Sequence, residues 1–311
     1  FDCAGHPKFL KNLISIAGVI DGAILVIDAN KGIEQQTRQH IKIVRNFSVK
    51  HIVAFIHQTQ SVDSNILENI ENELRILLDF DKNSDDFLPI IHSKSSPQIE
   101  PKIIDQLLHA IDVIIPSPNR DTDKPPLMSI MDRQQISAKD KPIVVKGVLH
   151  KGTIRQGDRI DVAGYGNVIP TIVKKIKRSN QQIDHAQHGN YITLLLQDLT
   201  KKQIRRGLIL SLTNTSTLHQ RFTAKIYVLN QEQGGRHTPF FQTYQPQIHS
   251  RTCSVRTKLT FPQTIQKVMP GDKVELTFQL CKSIVIQQDD PIFICEGHQL
   301  IATGTILQIL D

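Results

Sequence analysis

The first residues whose types and spacing could support chemistry are Asp2, Gly5 and His6, in the sequence Asp-Cys-Ala-Gly-His. Imidazole is the side chain that most readily exchanges a proton near neutral pH, and a nearby carboxylate can hold a cation directly or through water. This arrangement is typical of the middle of a nucleotide-binding domain. Taken alone, it describes better a turn capped by Asp2 with His6 at the surface.

A second group of candidate residues is cationic and lies far along the chain. Residues 1–115 contain 11 Lys and Arg against 15 Asp and Glu, whereas residues 116–311 contain 26 against 15. The net charge of +7 therefore combines an acidic N-terminal part with a basic C-terminal part. Segregated positive charge is what a polyanion-binding surface needs, although compositional drift in a lysine-rich genome would give the same split.

Composition excludes several classes of protein. The 39% hydrophobic and 22% charged residues are ordinary for soluble domains, and 311 residues favour two or three of them. The longest apolar runs, such as Ala23–Ile27, are far too short to span a membrane, and no targeting segment is visible. Four cysteines without Cys-x-x-Cys spacing predict neither a disulfide scaffold nor a metal site and favour a reducing compartment.

The first third of the chain alternates between helix and strand patterns. Helical spacing predicts helices near residues 9–17, 37–47, 66–77 and 101–115, and short apolar runs predict buried strands at 21–29, 51–56 and 88–91. Strands that alternate with helices indicate a parallel sheet in a layered α/β domain.

The pattern changes at the proline-rich and charged stretch 115–126, which predicts an interdomain linker. Beyond it, short β-type runs separated by glycine-containing turns predict antiparallel structure, enough for two barrels. These runs are 142–149, 158–164, 191–197, 224–230, 273–280 and 291–297. We therefore predict three domains, at 1–118, 119–214 and 215–311.

Several ordered motifs resemble the elongation factor Tu family of translational GTPases. The clearest is Gln-Gly-Gly-Arg-His-Thr-Pro-Phe-Phe at 233–241, and the others keep the family's order along the whole chain. They are DCAGH (2–6), KNLI (11–14), DGAILV (21–26), QTRQHI (36–41), RDTDKPPLMSI (120–130), RRGLIL (205–210), YQPQIHSRT (244–252) and VMPGD (268–272). The resemblance implies a P-loop-GTPase-like α/β domain followed by two β-barrels.

The resemblance implies roles for the residues at the start of the chain. Asp2 would hold Mg²⁺ through water, the amide of Gly5 would contact the γ-phosphate of GTP, and His6 would orient the attacking water. The family's domain also contains Gly-x-x-x-x-Gly-Lys-Ser/Thr, the loop that cradles the phosphates, which does not occur in this sequence. We therefore expect an incomplete GTPase domain without its first strand and P-loop, which binds GTP and GDP weakly as it stands.

A further departure falls where the family has Asn-Lys-x-Asp, the motif that recognises guanine. His57, Gln58, Thr59 and Gln60 occupy these positions. The neutral amide of Gln60 cannot accept two donors from guanine as a carboxylate does, which would cost about 2–4 kcal/mol of guanine preference. Gene decay, relaxed base specificity and a pseudo-GTPase that keeps only tRNA or partner binding are all compatible with this change.

The same resemblance implies that the C-terminal part of the chain binds tRNA. Arg206 would lie near the 3′ end of aminoacyl-tRNA, and Arg236 and His237 near the acceptor arm, with Arg251 one strand later. Guanidinium groups suit phosphate contacts, although each arginine alone could equally be a solvated surface charge.

The resemblance implies GTP-dependent delivery of aminoacyl-tRNA to the ribosomal A site, with an exchange factor of the Ts type as a further partner. The alternative is a decayed or pseudo-GTPase relative that retains only tRNA or partner binding. We expect a monomer without membrane association. The amino-acid sequences of the motifs and the abundance of Ile, Lys, Asn and Gln favour a chloroplast or plastid stroma, ahead of a mitochondrial matrix or a bacterial cytoplasm.

Overall fold

The computed structural model describes residues 1–3, 5–47, 49–78, 88–94, 99–135 and 143–311, and it divides into two compact units. One unit contains residues 20–118. The other contains residues 119–311 together with residues 1–19, so the short first helix α1 (Leu10–Ala17) belongs with the barrels. No described helix is long and apolar enough to cross a membrane.

The unit of residues 20–118 is a three-stranded parallel sheet with helices, as the alternating pattern predicts. The strand order is β1-β2-β3. Its elements are β1 (Gly22–Asp28), α2 (Gln35–Asn46), β2 (His51–His57), α3 (Ser64–Leu77), β3 (Ile90–Ser93) and α4 (Pro101–Ile114). The strand predicted at 88–91 begins two residues later because Pro89 has no N–H to donate, although its carbonyl accepts from Ala54 N at 2.9 Å.

Helix α4 covers only part of one face of this sheet. It packs through the apolar side chains of Ile103, Leu107, Ala110 and Ile111 against Val53, Phe55 and Ile91. Ile24 and Val26 of β1 pair in register with Val53 and Phe55 and so lie on the same face, yet they are 44% and 60% exposed. Strand β1 is also the outer strand of the described sheet.

The first half of the second unit is a barrel, named here barrel one. Six strands close it in the order β11-β5-β4-β12-β7-β8, and β9 extends β8 as a hairpin. Its strands are β4 (Leu127–Gln135), β5 (Ile143–Lys151), β6 (Thr153–Arg155), β7 (Arg159–Gly164), β8 (Asn167–Arg178), β9 (Gln181–Ile183), β10 (His185–Gln187), β11 (Tyr191–Leu196) and β12 (Ile209–Leu212). Alternate residues such as Val145, Ile160 and Leu194 point inward and are fully buried.

The second half, barrel two, is a closed barrel of six antiparallel strands, β13-β18-β16-β15-β19-β20. Its strands are β13 (His219–Val228), β14 (Phe240–Phe241), β15 (Gln247–Ser250), β16 (Cys253–Thr260), β17 (Lys267–Val268), β18 (Lys273–Ile284), β19 (Pro291–Glu296) and β20 (Gln299–Ile309). Phe222 and Phe278 stack in its core with ring centroids 5.1 Å apart. The expected architecture of a GTPase-like α/β domain followed by two antiparallel barrels is confirmed.

The two barrels share a small apolar contact and several hydrogen bonds. Val285 of barrel two packs with Leu127, Ala163 and Ile209 of barrel one. Tyr165, in the turn after β7, accepts a hydrogen bond from Ser254 N and donates one to Arg206 O, each at 3.4 Å. This tyrosine places the turn that carries Arg206 beside the start of β16.

Candidate functional site

The segment with Asp2, Gly5 and His6 lies at the surface. All three residues are exposed, and a Cβ added to Gly5 would meet nothing within 4 Å. His6 Nδ1 accepts a hydrogen bond from Lys8 N at 3.2 Å, so the neutral ring carries its proton on Nε2. The outward nitrogen of a neutral His6 is therefore a donor, able to hold a water or phosphate oxygen in place.

The predicted base-recognition residues follow the carboxyl end of β2, the edge at which parallel α/β sheets bind ligands. Gln58 adopts a left-handed conformation, with φ of 61°, and its Oε1 accepts from Asn30 Nδ2 at 2.6 Å. Asn30 is itself held by Asp28 Oδ1, which accepts from Asn30 N at 3.0 Å. Sequence reasoning missed Asp28 and Asn30, although their place directly after the β1 run was a usable signal.

The side chains of His57 and Gln60 differ in their exposure at this edge. His57 Nδ1 is buried and has no hydrogen-bond partner among the described residues, whereas Gln60 is exposed. Thr59 donates to Ser93 O at 3.3 Å and so joins this segment to the end of β3. The loop thus joins the ends of β2 and β3, and it presents a neutral amide where guanine recognition calls for a carboxylate.

A polar cavity of about 200 Å³ lies in the other unit, between α1 and the two barrels. It brings together Arg206 and Arg251, two of the four residues predicted to bind tRNA. Its full lining is Lys11, Ser15, Tyr165, Arg206, His249, Arg251, Thr252 and Ser254. The lining contains three cationic side chains and no carboxylate, so its chemistry suits an anion.

Arg206 is fixed at this cavity by helix α1. Its guanidinium donates to Ser15 Oγ at 2.7 Å, to Asn12 Oδ1 at 3.1 Å and to Lys11 O at 3.4 Å. Burial lowers the pKa of Arg206 from its usual range, but a guanidinium remains charged at neutral pH. The fork therefore presents a permanent positive charge at the cavity.

The segment from His249 to Ser254 contains several buried polar atoms that no described residue pairs with. His249 Nε2, Arg251 Nη1, Thr252 Oγ1 and Ser254 Oγ are buried and have no hydrogen-bond partner among the described residues. Arg251 is anchored through its other nitrogen, Nη2, which donates to Asp290 Oδ1 at 2.6 Å. Buried polar groups are ordinarily paired, so this cluster calls for a bound partner.

Burial lowers the pKa of His249 to about 4, and the positive charges of Lys11 and Arg206 act in the same direction. The ring is therefore neutral at physiological pH. An anion in the cavity would oppose both charges and raise the pKa of His249 again.

Arg236 and His237 do not line this cavity. Arg236 forms an ion pair with Glu296, donates to Thr238, and lies over the rings of Phe240 and Tyr244 at 5.3 and 4.9 Å. His237 is exposed. The guanidinium of Arg236 is thus engaged inside barrel two, and a tRNA contact at Arg236 or His237 stays a prediction.

Sequence reasoning missed most of the residues that complete the cavity, such as Lys11, Ser15 and His249. The sequence shows only that Lys11 lies in KNLI, one of the motifs that carry the family resemblance, and that Thr252 follows Arg251. Nothing in the spacing of residues near 11, 206 and 250 predicts that the fold brings them together.

A parallel α/β unit joined in sequence to two antiparallel barrels is the architecture of the translational GTPases. Comparison with known families agrees. The family model "Elongation factor Tu GTP binding domain" matches residues 1–117, and "Elongation factor Tu C-terminal domain" matches residues 215–310. The two matches together cover more than half of the chain. The chain belongs to the elongation factor Tu family and is a translation elongation GTPase by descent, with that family's guanine-nucleotide-binding domain at its front.

Proposed function

We propose that this chain serves GTP-dependent delivery of aminoacyl-tRNA to the ribosomal A site, and that the polar cavity holds a phosphate of the tRNA acceptor end. The observation that carries the proposal is the convergence of Arg206 with the unpartnered donors of residues 249–254 on one cavity without a carboxylate.

The chemistry favours a terminal phosphate over an internal one. A terminal phosphate carries more free oxygens and more charge than a diester, so it can use several donors at once. Arg206 supplies positive charge, Arg251, which is ion-paired with Asp290, offers its remaining Nη1–H donors, and the hydroxyls of Thr252 and Ser254 can rotate toward the remaining oxygens.

An RNA minihelix that mimics an acceptor stem tests this proposal. We expect the full-length protein to bind the minihelix with a 5′-phosphate more tightly than the same minihelix with a 5′-hydroxyl. Arg206→Gln should abolish most of this difference, whereas Arg221→Gln, which removes an exposed charge elsewhere on barrel two, should preserve it. Equal binding of the two minihelices by the unchanged protein would refute the phosphate site.

For GTP hydrolysis, we propose that His6 positions the attacking water. The hydrogen bond from Lys8 N to Nδ1 supports this role because it leaves Nε2–H directed away from the backbone. His6→Gln in the full-length protein should lower ribosome-stimulated hydrolysis while GDP binding stays unchanged. Unchanged hydrolysis in that variant would remove His6 from the mechanism.

Asp2 fits Mg²⁺ only through water. It is exposed, and the described residues contain no group of three or more His, Cys, Asp or Glu side chains that could ligate a metal directly. When bound, Mg²⁺ neutralises phosphate charge and orients the phosphates of GTP. This chain would contribute only by holding, through Asp2, one of the water ligands of Mg²⁺.

The base-recognition loop does not fit guanine well, and this favours a second candidate function. In that alternative the protein is a decayed or pseudo-GTPase relative that keeps tRNA or partner binding and has lost selective GTP binding. Titration of the full-length protein with labelled GDP and XDP separates the two. Tight and selective GDP binding supports the GTPase, and weak or equal binding supports the alternative.

Three further features remain part of the proposal. The protein would act as a monomer, exchange its nucleotide with the help of a Ts-type factor, and reside in the chloroplast or plastid stroma. The plastid assignment is supported by the amino-acid sequences of motifs such as RDTDKPPLMSI at 120–130. Immunodetection in purified plastids and mitochondria would test it, and size-exclusion chromatography with light scattering would test the monomer.

A further inference from the structure

The position of His249 on β15 places a titratable ring at the polar cavity. Ile248 before it belongs to the core of barrel two, so the alternation of the strand turns His249 outward, to the side on which α1 packs. The residue is only 4% exposed, and its Nε2 is buried without a hydrogen-bond partner among the described residues. A buried ring nitrogen in a polar cavity is suited to pair with a bound group.

The charged groups that line the cavity around His249 are all cations. Lys11 comes from α1, Arg206 from the turn before β12, and Arg251 from the turn after β15. Asp290 forms an ion pair with Arg251 and so balances one of the three charges. The other two, on Lys11 and Arg206, oppose protonation of His249 and act with burial to lower its pKa.

The remaining titratable groups near His249 are uncharged at neutral pH. Burial raises the pKa of Tyr165, which lines the cavity from the turn after β7, above its usual range. Burial also raises the pKa of the Cys295 thiol, on the neighbouring strand β19, to about 12. The residues directly opposite His249 are Phe293 on β19 and Ser254 on β16, which do not titrate in this range. Protonation of His249 therefore depends on the cations and on what occupies the cavity.

An oxyanion in the cavity reverses this balance. A phosphate monoester or a sulfate carries about two negative charges, which oppose those of Lys11 and Arg206, and its oxygens accept from a charged ring N–H. We propose that His249 takes up a proton from solvent when a tetrahedral oxyanion enters the cavity, so that the affinity for the anion rises as the pH falls. As a property of tRNA binding the inference rests on the proposed function, whereas the proton coupling itself applies equally to a free oxyanion.

The first measurement follows the ring of His249 by NMR in the full-length protein, isotope-labelled at its histidine rings. The pH titration is run in sodium chloride and in sodium sulfate at equal ionic strength. Sulfate keeps its charge over this range, whereas a phosphate monoester takes up a proton at about pH 6. We expect sulfate to raise the pKa of His249 from about 4 to about 6 or above, and to leave exposed His109 of α4 unaffected. The same pKa for His249 in both salts would overturn the proposal.

The second measurement compares the acceptor-stem minihelix with a 5′-phosphate and with a 5′-hydroxyl at about pH 7.5 and about pH 5.5. We expect the preference of the unchanged protein for the 5′-phosphate to grow about five- to tenfold at the lower pH. In His249→Gln the preference should persist at the higher pH without growing, because an amide does not titrate. His249→Phe, which keeps a ring but cannot take up a proton, is a second variant in case the first folds poorly. His109→Gln should behave as the unchanged protein does.

The two proposals for this cavity fail in different ways. If both minihelices bind equally at each pH while sulfate still raises the pKa of His249, the coupling holds for free oxyanions and the tRNA assignment is wrong. If the 5′-phosphate is preferred to the same extent at both pH values, with and without His249, the phosphate site is supported and the coupling is refuted.

Discussion

Arg206 and Ser15 are 191 positions apart in sequence, yet the guanidinium of Arg206 donates a 2.7 Å hydrogen bond to Ser15 Oγ. The Ser15 hydroxyl in turn donates to Lys11 O at 2.7 Å. This chain of hydrogen bonds holds helix α1 against barrel one, and it fixes the position of the positive charge at the cavity.

The Arg206–Ser15 pair should show energetic coupling. We expect Arg206→Ala and Ser15→Ala each to destabilise the unit, and the double variant to lose less than their sum. A coupling of about 1–2 kcal/mol is typical of a part-buried hydrogen bond to a charged group. Urea unfolding of the four proteins measures it, and strictly additive losses would show that the hydrogen bond contributes nothing.

Stability should fall as the pH drops from about 6.5 toward 4. The pKa of His249 is lowered to about 4 by burial, and that of buried His150 to about 3, so the unfolded chain binds protons first. The stability gained by keeping these histidines neutral is fully present above the pKa that they have in the unfolded chain. It is lost as the pH falls through the pKa that they have in the folded protein. For His249 the change is roughly 3 kcal/mol.

This pH dependence is measured by urea unfolding at pH 7 and pH 4.5. His249→Gln should reduce the difference between the two pH values, whereas exposed His237→Gln should leave it unchanged. An equal pH dependence in all three proteins would show that His249 is not held neutral by its surroundings.

Gly207 should not tolerate a side chain. Its φ is 95°, and a Cβ there would lie 2.3 Å from the hydroxyl of Tyr165 and 3.1 Å from Cys253 Cα. We expect Gly207→Ala to cost about 2–4 kcal/mol from backbone strain and overlap together. Gly166 has a φ of 87° and open space around it, so Gly166→Ala introduces backbone strain without atomic overlap. This variant should cost about 1 kcal/mol. Equal losses in thermal unfolding would contradict the overlap.

Gln60→Asp should restore guanine preference in the full-length protein. A carboxylate can accept two hydrogen bonds from the guanine edge, which we expect to be worth about 2–4 kcal/mol. Competition between labelled GDP and XDP measures the change, with exposed Gln35→Asp at the start of α2 giving a charge control. If the unchanged protein already prefers GDP strongly, the interpretation of His57–Gln60 is wrong.

Arg236 should matter for stability more than for RNA binding. Its ion pair with Glu296 and its contacts with the Phe240 and Tyr244 rings tie the loop before β14 to β19. We expect Arg236→Ala to destabilise barrel two by about 1–3 kcal/mol, and Arg236→Lys to recover only part of it because a lysine lacks the planar fork. A variant that is fully stable but binds tRNA weakly would instead support the predicted acceptor-arm contact.

Local pattern was enough to predict most of the fold. The apolar runs at 21–29 and 51–56 predict β1 and β2 because parallel strands are typically continuously apolar, and Pro101 predicts the start of α4. Strand β2 is buried as expected, whereas within β1 only Ile27 is buried. A β-bulge at Lys174 was not predictable, because it depends on how β8 pairs with β11 and not on the residues of β8 alone.

The candidate sites were predictable only in part. Arg206 and Arg251 came from a resemblance, and their meeting in one cavity is a product of tertiary structure. The place of α1 beside β15 of barrel two brings Lys11 and Ser15 to that cavity, and no local signal encodes such a contact. The engagement of Arg236 by Glu296, which lies 60 positions away, was hidden for the same reason.

The outer edge of β1 has a practical consequence for anyone who purifies this chain. Its backbone donors and acceptors are aligned for another strand, and the exposed Ile24 and Val26 lie beside them. Such an edge is a template on which other chains can add, so concentrated preparations will tend to form intermolecular sheets. A charged residue in place of Val26 would act as a gatekeeper and keep the chains apart.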